Sequence, residues 1–401
     1  MSDVVIVSAC RSPLGKFGGA LKDVSAVELG QSVVKEALAR AQIDGQLVDE
    51  VIFGNVLAAG LGQNPARQIA LKAGLPQKVA ATTINMVCGS GLKAVCLGAS
   101  MIKAGDAQVV VCGGSENMSA APYLLPSMRF GARLNDSQVI DSLIHDGLQD
   151  AFSGEHMGLT AERVAAQFKI SRQVQDEFAL TSQLKAQKAQ TTGRFEAEIV
   201  PLAQLASDET IRYDTSLEKL AKLKPVFKAN GTVTAGNAAG LNDGAAALVL
   251  MAKEVAQARG LDYLAEIKAY ANVGLDPQVM GLGPIEAVKK LLVKSDLQLA
   301  DFDLIEANEA FAAQALAVLD QLQLDASKVN VNGGSLALGH PLGASGARIL
   351  VTLLYELKRR QTNLGLATLC VGGGKEWLWQ SKLNNYSIKR VTHGVTRFFS
   401  R

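Results

Sequence analysis

Four residues of this 401-residue chain stand at points where a fold commonly places chemistry. Cys88 lies in INMVCGSGL, between an apolar run of strand type and a small-residue turn that opens a helix. Backbone N–H groups and the positive end of a helix dipole gather at such a junction, lowering a thiol's pKa and favouring the nucleophilic thiolate. The same place also suits a small buried core residue, so spacing alone leaves both readings open. His340, in GGSLALGHPLGASGAR, is held by neighbouring Gly and Pro in a tight loop before a helix, which can present an imidazole rigidly to a pocket. Cys370 ends the apolar run LGLATLC and precedes VGGG, the strand terminus where α/β proteins usually bind their ligands. Asn308 and Glu309 open NEAFAAQALAVL at a further strand-to-helix junction, where an asparagine can equally be no more than a helix cap.

Other chemistries find little support. The four histidines, His145, His156, His340 and His393, include no pair at the i, i+4 spacing of a helical zinc site, so no metal is expected. Five cysteines without a C-x-x-C pair read as reduced thiols. A net charge of +2 and no basic stripe with interleaved aromatics argue against nucleic acid. The longest apolar runs, such as AQVVVC, fall short of the roughly 20 residues of a membrane helix. MSDVVIVSACRSP reads as a first strand and not as a secretion signal, so a cytoplasmic protein is expected.

The elements that must position these residues alternate in period. VVIVSA is strand-like, and Ser25 with Glu28 forms a capping box before the helix pattern of SAVELGQSVVKEALARA. EVIFGN is another strand, after which Asn64 and Pro65 give N-cap and first-turn chemistry to NPARQIALKAG. Such alternation predicts an α/β fold with sheets covered by helices. The order then repeats: DEVIFGN to Asn55 is echoed by FDLIEAN to Asn308, AQVVVCGG with Cys112 by LATLCVGGG with Cys370, and CGSGLKAV by GASGARIL. Of the two echoed thiols, Cys112 is the candidate for a purely structural role. Two similar βαβ halves are predicted, residues 1–114 plus about 231–260 and residues 261–374. An inserted loop domain is predicted over 115–230, where MSAAPYLLPSMRFGARLND is irregular and SRQVQDEFALTSQLKAQKAQ is helical.

Taken in this order, NMVCGSGLKAV, TAGNAAGLNDGAAA, NEAFA, GGSLALGHPLGASGAR and LCVGGG resemble the thiolase family, from the first strand to Gly374. HMG at His156 to Gly158 and the loop-domain pattern look most like its biosynthetic type. The resemblance implies a duplicated thiolase fold, with helices between two mixed sheets, and a reversible Claisen condensation of two acetyl-CoA to acetoacetyl-CoA and CoA. In that reaction Cys88 would become acetylated after giving its proton to His340, and Cys370 would take a proton from the methyl group of the second acetyl-CoA. His340 and a water held by Asn308 would stabilise the enolate, while backbone N–H groups of Cys88 and Gly372 would stabilise the tetrahedral intermediates. His156 and Met157 would line the acyl end of the CoA site. Ala239, where many members have Ser, would remove one pantetheine hydrogen bond, worth roughly 0.5 to 1.5 kcal/mol. No cofactor is implied, since CoA thioesters are the substrates, and a homotetramer is expected. The rivals are a degradative 3-ketoacyl-CoA thiolase acting on longer chains and an acyl-CoA-binding protein without turnover.

Beyond Gly374 the resemblance stops, and both tryptophans of the chain, Trp377 and Trp379, follow at once. A family-like continuation KGMAMAI, encoded AAA GGA ATG GCT ATG GCA ATC, reads KEWLWQS after loss of one A. Residues 375–401 are thus atypical and read as frameshifted from about Glu376, in place of an apolar edge strand; the alternative is a genuine basic tail that binds a partner or a membrane. Lower stability and activity than in the restored frame are expected.

Overall fold

Val4–Arg11 (β1, VVIVSACR) is buried along its whole length, the pattern of a strand covered on both faces, and it occupies the middle of the sheet. The structure is a computed structural model that describes residues 2–383, with side chains to 374. The first half adds Glu50–Gly54 (β2), Ala80–Ile84 (β3), Val109–Asn117 (β4) and Asn242–Ala252 (β5). The second contributes Ala265–Gly274 (β6), Leu304–Ala307 (β7), Leu364–Val371 (β8) and Lys375–Leu383 (β9). Their order is β7-β8-β9-β6-β1-β5-β4-β2-β3, and the short strand Gly15–Lys16 pairs with β5 as the tenth. The two expected sheets are therefore joined. A short antiparallel ladder, Val4–Ile6 against Ala265–Ile267, fuses them because β1 offers both of its edges, one to β5 and one to β6.

The repeat is visible in the pairing. β2 lies parallel to β4, which is antiparallel to β5; β7 lies parallel to β8, which is antiparallel to β9. In place of β3 the second half has a single parallel bridge, Ile305 to Val329. Register corrects one part of the expected echo. Gly54 pairs with Gly114, and Ala307 pairs with Thr368, so Asn55 and Asn308 are equivalent, while the position of Cys370 matches that of Glu116. Cys112 pairs with Ile52 and corresponds to Leu366. It is a fully buried core thiol, its Sγ against the helix at Gly98, and burial pushes its pKa well up.

Between the half-sheets run two helices, Ser90–Ala104 (α3) and Leu342–Arg360 (α8); Ala26–Ala41 (α1) and Pro65–Lys72 (α2) cover the first half from outside. The predicted caps are in place: Ser25 and Glu28 form the capping box, and the Asn64 side chain accepts from the Arg67 N–H with Pro65 in the first turn. α8 is buried on all sides from Leu342 to Leu354, and it packs on β4 and β5 as well as on β7 and β8. α3 and α8 meet through glycine: a Cβ at Gly91 would lie 2.8 Å from Ala347 N, and one at Gly346 would lie 2.6 Å from Leu92 N. By length and composition Val87–Ala104 would pass for a membrane span, yet 61% of it is buried inside the fold.

β4 runs on to Asn117, after which the loop region leaves the sheet. It contains Met157–Gln167 (α4) and Arg172–Thr191 (α5), and α5 packs against Ala312–Leu322 (α7) of the second half, where Gly283–Ser295 (α6) packs on β6. β9 is not at an edge as expected. It is an internal strand, antiparallel to β8 and to β6, a placement that its backbone groups make possible irrespective of side chain. The rest of the atypical segment, 384–401, lies outside the described residues.

Candidate active site

The turn before α3 is strained. Val87, a β-branched residue, has φ +47, a conformation that costs on the order of 1–3 kcal/mol and persists only where neighbours impose it. Three hydrogen bonds do so: Val87 N donates to Asn85 Oδ1, Met86 N donates to Ser90 Oγ, and Ser90 Oγ donates to Val87 O. Cys88 follows immediately, nearly buried, just before the first turn of α3. Nucleophiles on sharp strand-to-helix turns share this construction.

His340 is presented by a loop that only glycine permits. Gly339 has φ +105, and a Cβ there would fall 2.3 Å from Asn242 Cγ. Asn242 in turn accepts from the His340 N–H at 2.8 Å and donates to Gly15 O, which clamps the loop to the start of β5. The tautomer follows from Ser345. Its hydroxyl donates its single proton to Pro341 O, so at 2.6 Å from His340 Nδ1 it can only accept. The ring therefore carries its proton on Nδ1, and Nε2 is an acceptor, buried without a protein partner. Burial, and secondarily the charge of Arg348, push the His340 pKa down to about 3, so the imidazole is neutral at ordinary pH.

Asn308 follows β7 and Cys370 ends β8, joined by the Asn308 N–H to Thr368 O hydrogen bond. Asn308 does not cap α7, whose N-cap is Phe311. Its Oδ1 instead accepts from Ser335 Oγ at 2.6 Å, and its Nδ2 is buried without a protein partner. Glu309 is a knot in the fold: its carboxylate accepts from Ser182 Oγ, Asn330 Nδ2 and Leu336 N, tying α5 to the loop that leads to His340. Cys370 is fully buried and packs with Met157 and Phe311. A Cβ on Gly372 would lie 3.3 Å from Val87 Cγ1 and 3.6 Å from Met157 Sδ, so the Cys88 turn, the β8 terminus and the start of α4 meet here.

His156 is the N-cap of α4: its Nδ1 accepts from Gly158 N at 3.0 Å. Nε2 therefore carries the ring proton, and the ring stacks on Phe227 at 4.5 Å. Burial lowers its pKa. Ala239 N donates to Ala310 O, and the neighbouring Ala238 bridges to Phe311, which sets this block beside Cys370's cluster. Among the described residues no group of three His, Cys, Asp or Glu side chains could hold a metal ion.

Sequence reasoning missed the support behind these groups: Ser345, Ser335, Arg348, Asn242 and Glu116. The only available signal was a charged or amide residue inside otherwise small or apolar blocks, as in GASGARIL and VVVCGGSEN. Glu116 is the most heavily used, its carboxylate accepting from Asn55 Nδ2 and from the N–H groups of Val56, Leu57 and Gly343. Burial raises its pKa to about 7.

Comparison with known proteins agrees over nearly the whole chain. Residues 4–254 match the thiolase N-terminal domain, and residues 261–377 match the thiolase C-terminal domain. The second match ends three residues past Gly374. The chain is 56% identical to an acetyl-CoA acetyltransferase of Cupriavidus necator over 93% of this chain and 98% of that protein. It is also 56% identical to one of Escherichia coli, over 94% and 98%. A crystal structure of the Bacillus anthracis acetyl-CoA acetyltransferase superposes with a TM-score of 0.94 at 47% identity, covering 96% of this chain and 99% of that one.

Proposed function

The chain belongs to the thiolase family, and from that premise we propose how its site carries out the acetyl-CoA C-acetyltransferase reaction. This acyltransferase moves an acetyl group from one acetyl-CoA to the methyl carbon of another, by way of an acetyl-Cys88 thioester. His340 Nε2 takes the Cys88 proton as the sulfur attacks and keeps it while CoA leaves as the thiolate, which takes its proton from water. Cys370 then removes a methyl proton from the second acetyl-CoA, and the resulting carbanion attacks acetyl-Cys88 and expels the Cys88 thiolate, which takes back the proton held by His340; acetoacetyl-CoA is formed, and Cys370 releases its proton to solvent in exchange for the one taken up by CoA. The enolate oxygen sits between Asn308, which holds a water through its amide N–H, and His340 in its Nε2-protonated form. Backbone N–H groups of Cys88 and Gly372 receive the tetrahedral oxyanions. His156 and Met157 border the acyl end, and Ala239 borders the pantetheine.

One observation carries this reading: His340 Nε2 and Asn308 Nδ2 are both buried polar atoms without a protein partner, the first an acceptor and the second a donor. A fold leaves such atoms open where a ligand completes them. No cofactor is required, since the thioester supplies the activation. A cytoplasmic location and a homotetramer complete the proposal. The assembly is supported by the loop region, where Tyr123, Met128, Phe130, Leu134 and Val139 are exposed together, an apolar stretch of the kind that subunit contacts cover. Neither a membrane nor nucleic acid is a partner in this reading.

The test is CoA-dependent cleavage of acetoacetyl-CoA by the protein and by Cys88→Ala. Turnover by the former and its loss by at least about a thousandfold in the variant is the expected result; cleavage that survives in Cys88→Ala contradicts the assignment.

A further inference from the structure

The amide of Asn308 is useful to an enolate only if its nitrogen, not its oxygen, faces the reacting carbonyl, and the structure contains a device that fixes this choice. Arg348 Nη2 donates to Ser335 Oγ at 2.7 Å, and Ser335 Oγ lies 2.6 Å from Asn308 Oδ1. A guanidinium has no acceptor and a hydroxyl has one proton. With Arg348 pointing a donor at its oxygen, Ser335 must give its proton to Asn308, and the amide oxygen is thereby engaged.

Arg348 is an expensive residue to put where it is. It is fully buried in the second turn of α8, its Nε and Nη1 have no hydrogen-bond partner, and its nearest carboxylate, Glu306, stands off at 3.9 Å. Core packing gives no reason for a guanidinium there, since an apolar side chain of similar volume would avoid that cost. The equivalent amide of the first half is fixed the other way. Asn55 spends its nitrogen on Ser115 O and Glu116 Oε1, and its oxygen is left over.

We propose that Ser335 and Arg348 are positioning residues for the condensation half-reaction: the guanidinium, acting through the serine hydroxyl, locks Asn308 as a hydrogen-bond donor toward the enolate oxygen. The idea rests on the assignment of Asn308 under the proposed function. Arg348 also bears on His340, because its charge adds to the burial that keeps the resting imidazole neutral and able to accept the Cys88 proton.

The test separates two half-reactions in Ser335→Ala, Asn308→Ala and the double variant. Exchange of labelled CoA into acetyl-CoA needs Cys88 and His340 but no enolate; cleavage of acetoacetyl-CoA needs the enolate as well. Ser335→Ala is expected to lower kcat for cleavage roughly tenfold, with KM and the exchange rate unchanged within about twofold, and to have no further effect when Asn308 is already Ala. Should Ser335→Ala not fold, Ser335→Cys, close in size and a poorer donor, is expected to show the same selective loss. Equal loss in exchange and cleavage, or a full additional loss in the Asn308→Ala background, overturns the proposal while leaving the proposed function intact. A native chain that exchanges CoA but does not cleave acetoacetyl-CoA overturns both.

Discussion

The two halves place an asparagine at the same point, one residue past the parallel ladder, and use it in opposite ways. Beside Asn55 the neighbouring strand brings Glu116, which consumes the amide nitrogen and three further backbone donors and so ties the Asn55 turn to Gly343. Beside Asn308 the neighbouring strand brings Cys370, and Ser335 takes the amide oxygen instead. A carboxylate at that position closes a polar knot; a thiol there leaves the amide nitrogen open. Duplication thus supplied one scaffold twice, and a single change of side chain at the strand end separates the asparagine whose nitrogen is engaged from the one whose nitrogen is left open.

The contrast is sharpest at the strand ends. Glu116→Ala strands three buried backbone donors, removes one of the two partners of Asn55 Nδ2 and is expected to cost about 3–5 kcal/mol in denaturant unfolding, whereas Cys370→Ala, which removes one small buried group, costs about 1–2 kcal/mol. The asparagines come next. Asn55→Ala is expected to lower stability by about 1–3 kcal/mol. Asn308→Ala is expected to leave stability within about 1 kcal/mol and to lower acetoacetyl-CoA cleavage by about 10- to 100-fold; a stability loss equal to that of Asn55→Ala would erase the distinction.

β9 gives a third comparison, with β5, its equivalent in the first half. β5 is an apolar strand buried throughout, NDGAAALVLMA, while β9 reads KEWLWQSKL. Replacing residues 376–383 by a short apolar strand is expected to raise stability by about 1–3 kcal/mol and to increase turnover; equal thermal midpoints would show that the atypical strand fits as it stands.

The smallest effect is in pH. His340 titrates near 3 when folded and near 6.5 when unfolded, so below pH 6.5 the unfolded chain binds the extra proton and stability falls on acidification. The contribution is about 1 kcal/mol per pH unit between pH 6 and 5, and His340→Gln is expected to reduce that slope. For Glu116 the sign reverses: its raised pKa gives stability that is lost as pH rises through about 7.

Much of this was legible in the chain. Periodicity and caps found α1, α2, β1 and β2, because those signals are local. The motif order found the family, and the echo of CGSGLKAV by GASGARIL marked the two segments that the structure packs together through Gly91 and Gly346. Register was not legible: AQVVVCGG and LATLCVGGG look alike as text, yet Cys112 sits in mid-ladder and Cys370 beyond the end of the parallel ladder. Nor was the support of the site, since an arginine in a helix ordinarily marks a solvent face and Arg348 lies on a helix that has none at that point. Those facts depend on which chain segments meet, information carried by packing across the two halves.

The separate roles proposed for the two thiols, Cys88 as nucleophile and Cys370 as base, are tested most directly by one variant in two assays. Cys370→Ala mixed with acetyl-CoA should still form acetyl-Cys88, seen by mass spectrometry as one acetyl group on the peptide containing Cys88, and should still exchange CoA, while cleavage of acetoacetyl-CoA falls by about a thousandfold or more. A Cys370→Ala protein that cleaves acetoacetyl-CoA at the native rate, or that fails to acetylate Cys88 while remaining folded, would contradict these roles.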